Sequence, residues 1–201
     1  MKSHENRYKA SAKSLLEYSK KIVVHCPACQ KDAMISNETP ENHEQAELLC
    51  ANCLHKEKGA GRLRYKMTLS RNCDNCGKAI EKTVVGLKMP QPQIKAACPH
   101  CGSTRNYEPK TEKYIEQYTS DTSITDPVFN LPLRLQTNVK GNVLWAYNKD
   151  HLQDIRDYVA SGLRERQESS FSTMVEKLPG FIKSAKNREA VLKSIDKLLV
   201  K

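Results

Sequence analysis

The sequence predicts an α+β fold in which small β-rich units come first and a C-terminal β-hairpin with helices comes last. Three observations predict it. Four Cys-x-x-Cys pairs divide residues 26–101 into short segments, β-like runs connect those pairs, and helical periodicity is confined to the two ends of the chain. With 201 residues of which 38 % are hydrophobic, the core is expected to be split among small units, and such units rarely bury enough apolar surface to be stable without a metal or disulfides.

Residues 1–21 read as a basic N-terminal helix. From Glu5 to Lys20, Tyr8, Ala12, Leu15 and Leu16 share one side, with Lys9, Lys13 and Lys20 elsewhere. The first twenty-five residues carry six Lys/Arg and no apolar stretch before a small-residue cleavage site, so no signal peptide is expected. The longest apolar run, Val143 to Tyr147, falls far short of the roughly 18–20 residues of a membrane helix. The expected location is the cytoplasm, with no membrane partner. In a reducing compartment eight cysteines are more economically read as thiolate metal ligands than as four disulfides.

The pairs are Cys26-Pro-Ala-Cys29, Cys50-Ala-Asn-Cys53, Cys73-Asp-Asn-Cys76 and Cys98-Pro-His-Cys101, and no cysteine falls outside them. A two-residue gap lets both thiolates of a tight turn reach one tetrahedral ion, and two such turns, one at each end of a β-hairpin, complete a four-sulfur cage. A closed cage has no open coordination position, so the expected cofactor is two structural Zn²⁺ ions that do not activate water. His25, His55 and His100 adjoin the cages, but eight cysteines already supply two full sets. A thioredoxin-like redox pair would not need four repeats.

Here the chain resembles the zinc-ribbon superfamily: Cys26-Pro-Ala-Cys29, Cys76-Gly77-Lys78 and Cys98-Pro-His-Cys101-Gly102 look like its knuckles, over roughly residues 22–106. The resemblance implies a metal-stabilised β fold much more than any one function, since such ribbons occur in transcription factors, polymerase subunits, ribosomal proteins and helicase insertions. The block from Asn130 to Leu192 looks like a tail found on small uncharacterised bacterial zinc-ribbon proteins.

The gaps between successive pairs are 20, 19 and 21 residues and do not decide which pairs share an ion. Local pattern does more. Residues 30–49 and 77–97 each read strand, turn, strand, whereas residues 54–72 hold an off-centre Gly59-Ala60-Gly61 and one long alternating strand through Leu63, Tyr65, Met67 and Leu69. This favours pairing 26/29 with 50/53 and 73/76 with 98/101, giving two tandem zinc ribbons over 22–60 and 61–106. A cross-brace, with the first and third pairs on one ion, is the alternative.

Residues 107–130 mix tyrosines, Ser/Thr/Asp and prolines and read as a linker or irregular packed arm. Residues 131–201 read as a ββααα module. Two strands flank Lys140-Gly141, and Asn148 caps a helix carrying Leu152, Ile155, Val159 and Leu163 as far as about Arg166. Ser172 caps a short helix ended by Pro179-Gly180, and Asn187 caps a third through Val191, Ile195 and Leu198. Asp150, Asp154 and Asp157 fall on the face opposite the apolar one, a solvated face rather than a metal site.

The net charge of +10 suggests an anionic partner, and its distribution narrows the choice. Residues 26–53 hold one Lys/Arg against five Asp/Glu, whereas 54–72 hold six against one, so the first ribbon is the least suited to a polyanion. The strand Arg62-Leu-Arg-Tyr-Lys places Arg62, Arg64 and Lys66 on one face, with Arg71 and Lys78 nearby. These five are the candidate nucleic-acid contacts, through phosphates, and Tyr65, Tyr107 or Trp145 are candidate stacking groups. An edge strand blunted by charge is an equally simple reading of the same stripe.

The sequence contains no nucleophile–base pair, open metal site or Gly-rich phosphate loop. The expectation is a non-catalytic protein without a small-molecule substrate, binding nucleic acid through the second ribbon and its basic lead-in strand. A protein–protein adaptor is the competing class, and a protein partner is expected on either reading. An enzyme or enzyme accessory subunit is the third.

Overall fold

The computed structural model describes residues 13–121, 124–161 and 173–200, together with the backbone of residues 7–8 and 163–164. It is an α+β chain of small antiparallel sheets followed by helices. A two-residue strand β1 (Arg7–Tyr8) precedes α1 (Leu15–Tyr18), so the helix read over 5–20 shrinks to one turn; residues 5, 6 and 9–12 lie outside the described residues. The reason is local. Ser14 and Glu17 form a reciprocal capping box that fixes where α1 starts. A sparse apolar stripe cannot hold a longer helix without a surface to pack on.

The first β unit is an antiparallel sheet ordered β2–β3–β4–β5, with β2 (Lys21–His25), β3 (Asp32–Ser36), β4 (Glu47–Leu49) and β5 (Lys56–Lys58). Period-two alternation buries Ile22, Val24, Ala33, Ile35 and Leu48 on one face. Gly59 follows, and here the backbones approach closely: a Cβ on it would lie 1.9 Å from the carbonyl oxygen of His43. Only glycine fits.

The second β unit comprises β6 (Leu63–Asn72), β7 (Ala79–Leu87), β8 (Ile94–Ala97), β9 (Thr104–Tyr107) and β10 (Lys110–Ile115). β6 is the central strand of a β10–β6–β7 sheet, and β8 and β9 form a separate hairpin. Met67, Leu69, Ile80, Ile94, Ala96 and Tyr107 make its core. The register between β6 and β7 shifts at Tyr65/Met67, where Gly86 (φ 77°) is accommodated and its N–H is taken by the Tyr114 hydroxyl at 3.1 Å.

Residues 107–130, read as a linker or irregular arm, instead contribute structure to both β units. β10 pairs along β6, and the chain then returns to the first unit, where Tyr118 N–H donates to the Phe129 carbonyl at 2.8 Å. Val128, Phe129, Leu131 and Leu133 close the hydrophobic core over Ile22, Ile35 and Leu48. Asp126 shapes this return: its carboxylate accepts the backbone N–H groups of Val128, Phe129 and Leu131 at 2.8, 2.7 and 2.6 Å. The second β unit is thus inserted between two parts of the first.

In the C-terminal module β11 (Leu135–Val139) and β12 (Asn142–Ala146) form the expected hairpin. Lys140 (φ 51°) and Gly141 (φ 82°) both take the left-handed conformation that a tight two-residue turn demands. Asn148 caps α2 (Lys149–Ala160) by accepting from His151 N–H at 2.9 Å. α2 stops at Ala160 rather than near Arg166, and the chain forms β13 (Leu163–Arg164), parallel to β1.

The helix read from Ser172, itself outside the described residues, is only a 3₁₀ turn over Val175–Lys177. The residue before a proline resists helical backbone, and Leu178 is accordingly extended; Gly180 then begins α3 (Gly180–Lys183) instead of ending a helix. α4 (Arg188–Leu199) packs on α2 and β11. Asn187 stands at its start without capping it, its amide donating to the Phe181 carbonyl at 3.0 Å. Backbone hydrogen bonds join the module to β2: Val23 N–H to Tyr147 at 2.7 Å and Arg134 N–H to Val23 at 2.9 Å.

Candidate metal centres

The four Cys-x-x-Cys turns are built alike. In each, the first cysteine's carbonyl accepts from the residue four positions on, and its N–H donates to the carbonyl five positions on, with N···O distances of 2.8–3.0 Å. The fifth residue of each turn, Gln30, Leu54, Gly77 or Gly102, has a φ between 59° and 73°. Glycine takes that conformation freely, so the second unit has the turn residue its geometry favours, while the first carries side chains there at a cost of about 1–2 kcal/mol. Leu54 is 77 % exposed and loses little packing on truncation. Leu54→Gly is therefore expected to stabilise the metal-loaded protein by about 1 kcal/mol in denaturant titration.

These turns bring the eight cysteines into two groups of four, Cys26, Cys29, Cys50 and Cys53 at one and Cys73, Cys76, Cys98 and Cys101 at the other, with the four sulfurs of each group within 4.8 Å of one another. Adjacent pairing, not a cross-brace, is the arrangement. The Cys26–Cys53 and Cys29–Cys50 sulfurs lie 3.6 Å apart, and Cys73–Cys101 and Cys76–Cys98 3.7 Å apart. Disulfide bonds measure about 2.05 Å. An ion with metal–sulfur bonds of about 2.3 Å spreads tetrahedral sulfurs about 3.8 Å apart, and both cages fit that edge.

Charge makes the same case. The Lys31 N–H aimed at its sulfur, with neighbouring thiols, pulls Cys29 down to about 7. The Asn75 side-chain amide and the Ser103 N–H pull Cys101 down to about 6. Against the pull of the His55 N–H, the adjacent Cys29 sulfur and burial push Cys53 up to about 12, and burial and neighbouring sulfurs push Cys76 up to about 11 despite the Lys78 N–H. Four thiolates at this spacing repel one another, and a divalent cation at their centre removes the conflict.

Two polar contacts to the cages are absent from the sequence reading. Asn52 Nδ2 donates to Cys29 Sγ and Asn75 Nδ2 to Cys101 Sγ, each at 3.6 Å, reaching across to the opposite turn. The signal is the shared Cys-x-Asn-Cys of the second and third pairs. Neither His25, His55 nor His100 belongs to the two ligand groups.

The five candidate nucleic-acid contacts are not one free stripe. The Arg62 guanidinium pairs with Glu57 at 2.9 Å, lies 4.0 Å over the Tyr118 ring and donates to the Glu116 carbonyl. Arg64 pairs with Glu116 at 2.9 Å. Both are sunk into the junction between β units, at 16 % and 17 % side-chain exposure. Lys66 is exposed beside Glu112, and its strand is central rather than an edge. Arg71 pairs with Asp74 at 2.8 Å and covers Tyr107, whose burial rules it out as a stacking platform; Tyr65 and Trp145 are half-buried.

Lys78 is exposed and forms no ion pair among the described residues, and the same holds for Lys88 and Lys95 in this unit. Residues 62–107 hold nine Lys/Arg against two Asp/Glu. On the C-terminal module, Asp154 accepts from the Tyr18 hydroxyl and Asp157 from Gln153, and among the described residues neither belongs to a group that could hold a metal. Among the described residues no helix is long and apolar enough to cross a membrane. The chain matches no protein family model, no curated protein and no solved structure.

Proposed function

We propose that the chain is a non-catalytic nucleic-acid-binding protein held in shape by two structural zinc ions. Four soft thiolates in a closed tetrahedron suit zinc and leave no position for substrate or water. The observation that carries the binding reading is the charge of residues 62–107, nine Lys/Arg against two Asp/Glu, with Lys78, Lys88 and Lys95 exposed and in no ion pair among the described residues. Lys66, Lys78, Lys88 and Lys95 are the phosphate contacts, with Arg71 shared between Asp74 and the ligand. Arg62 and Arg64 are instead held in ion pairs with Glu57 and Glu116.

Anisotropy of labelled single- and double-stranded DNA and RNA across a salt series tests this. Affinity is expected to fall steeply with salt, and Lys66, Lys78, Lys88 and Lys95 all changed to Glu to reduce the log–log slope by about 0.7–0.9 for each phosphate no longer neutralised. Arg62→Gln should leave that slope unchanged. Absence of binding at low salt would sink the reading. One observation favours an adaptor in that event: Met34 (37 % exposed), its cross-strand partner Leu49 (50 %) and Leu54 (77 %) are open apolar surface on the acidic first unit.

A further inference from the structure

His151, the third residue of α2, is 2 % exposed and used by neither cage nor cationic surface. Its ring stacks on Tyr18 at 4.7 Å and meets Trp145 edge-on at 5.9 Å. Nδ1 accepts the Tyr147 N–H at 3.2 Å, which places the proton of a neutral ring on Nε2. Burial keeps the ring neutral at pH 7 by pulling its pKa down to about 4.

That Nε2–H has no hydrogen-bond partner among the described residues, yet the imidazole is part of the wall of a cavity of about 110 Å³. Val143, Ile155, Met174, Leu178 and Ile182 supply apolar walls. No lining side chain carries an oxygen; the side-chain polar groups on offer are the donors of His151, Trp145 and Lys177. An N–H with no protein partner beside an apolar space favours a ligand that brings its own acceptor.

We propose that this cavity binds a small apolar molecule bearing a hydrogen-bond acceptor oxygen, which takes the His151 Nε2–H while its hydrocarbon body fills the space between β12, α2 and α3. The volume sets the size. An apolar cavity of about 150 Å³ admits benzene, with six non-hydrogen atoms, so about 110 Å³ corresponds to a compact body of some four or five. Exposed Lys177 stands at the mouth, with no ion pair among the described residues, and offers a countercharge if that oxygen belongs to a carboxylate.

The test uses the full-length, metal-loaded protein with methyl groups of Ile155, Met174, Leu178 and Ile182 observed by NMR. Cyclobutanone, the acceptor-bearing probe, is expected to shift them saturably and at least tenfold more tightly than cyclopentane, which matches it in size. His151→Phe should bring the two affinities together. Val143→Phe, which fills the cavity and leaves His151 in place, should abolish both and decides the matter if the histidine variant fails to fold. Propanoate separates an acidic from a neutral natural ligand, since Lys177→Ala lowers the affinity of the acid alone. No saturable shift with either oxygen-bearing probe, or equal affinity for ketone and hydrocarbon, would overturn the proposal.

Discussion

Stripping the metal with a strong chelator is expected to unfold the second β unit completely and to loosen the first, while α2 and α4 keep their protected amides. Structural zinc contributes about 10–16 kcal/mol in small peptides, comparable to or above the 5–15 kcal/mol that holds a whole domain folded. The second unit has little else: its core is eight buried residues, two of them the ligands Cys73 and Cys98. The first retains the cover of Phe129, Leu131 and Leu133 over Ile22 and Ile35, and the C-terminal core contains no cysteine. Hydrogen exchange read by region should show this order. Single ligand changes sharpen it. Cys98→Ser should cost one ion by native mass spectrometry and expose residues 63–107, and Cys50→Ser should cost the other and leave 63–107 protected. Retention of both ions, or release of both by one change, would contradict two independent cages.

Asp126→Ala is expected to cost about 3–5 kcal/mol in chemical denaturation with both ions still bound. Three buried N–H donors converge on this carboxylate at 2.6–2.8 Å, and each is left without its partner on truncation, at about 1–3 kcal/mol apiece before any relaxation. Burial of the carboxylate pushes its pKa up, and the three donors pull against that, so the side chain's worth lies in the pairing rather than in its charge. Asp126→Asn keeps one acceptor but turns an N–H₂ toward one of the backbone donors, and is expected to fall between. A cost under 1 kcal/mol for the alanine variant would mean that residues 124–133 hold their shape without it.

Much of the fold was legible because metal ligands and tight turns leave short, rigid sequence marks. Cys-x-x-Cys, Lys140-Gly141 and Asn148 each specify local geometry within four residues, and each is realised in the structure. What the sequence hid is long-range. Whether Arg62 meets a phosphate or Glu57 depends on Tyr118 and Glu116, more than fifty residues away, being folded back over it. Asp126 looked like one polar residue among many in 107–130, because the three amides it serves become donors in need only once Phe129 is buried. The end of α2 failed for a related reason: Leu163 and Arg164 pair with β1, across more than 150 positions that periodicity cannot register.

The insertion of one β unit into the other also fixes an order of events during synthesis. Cys26 to Cys53 leave the ribosome first, but the Val128–Leu133 segment that covers their hydrophobic face is made some seventy residues later. The intervening unit, whose ligands and core lie within 63–107 and whose last strand ends at Ile115, is complete before that segment is made. The nascent chain therefore carries an open, metal-dependent platform until the inserted unit has closed and delivered the returning segment to it, and the part translated earlier is the part finished last.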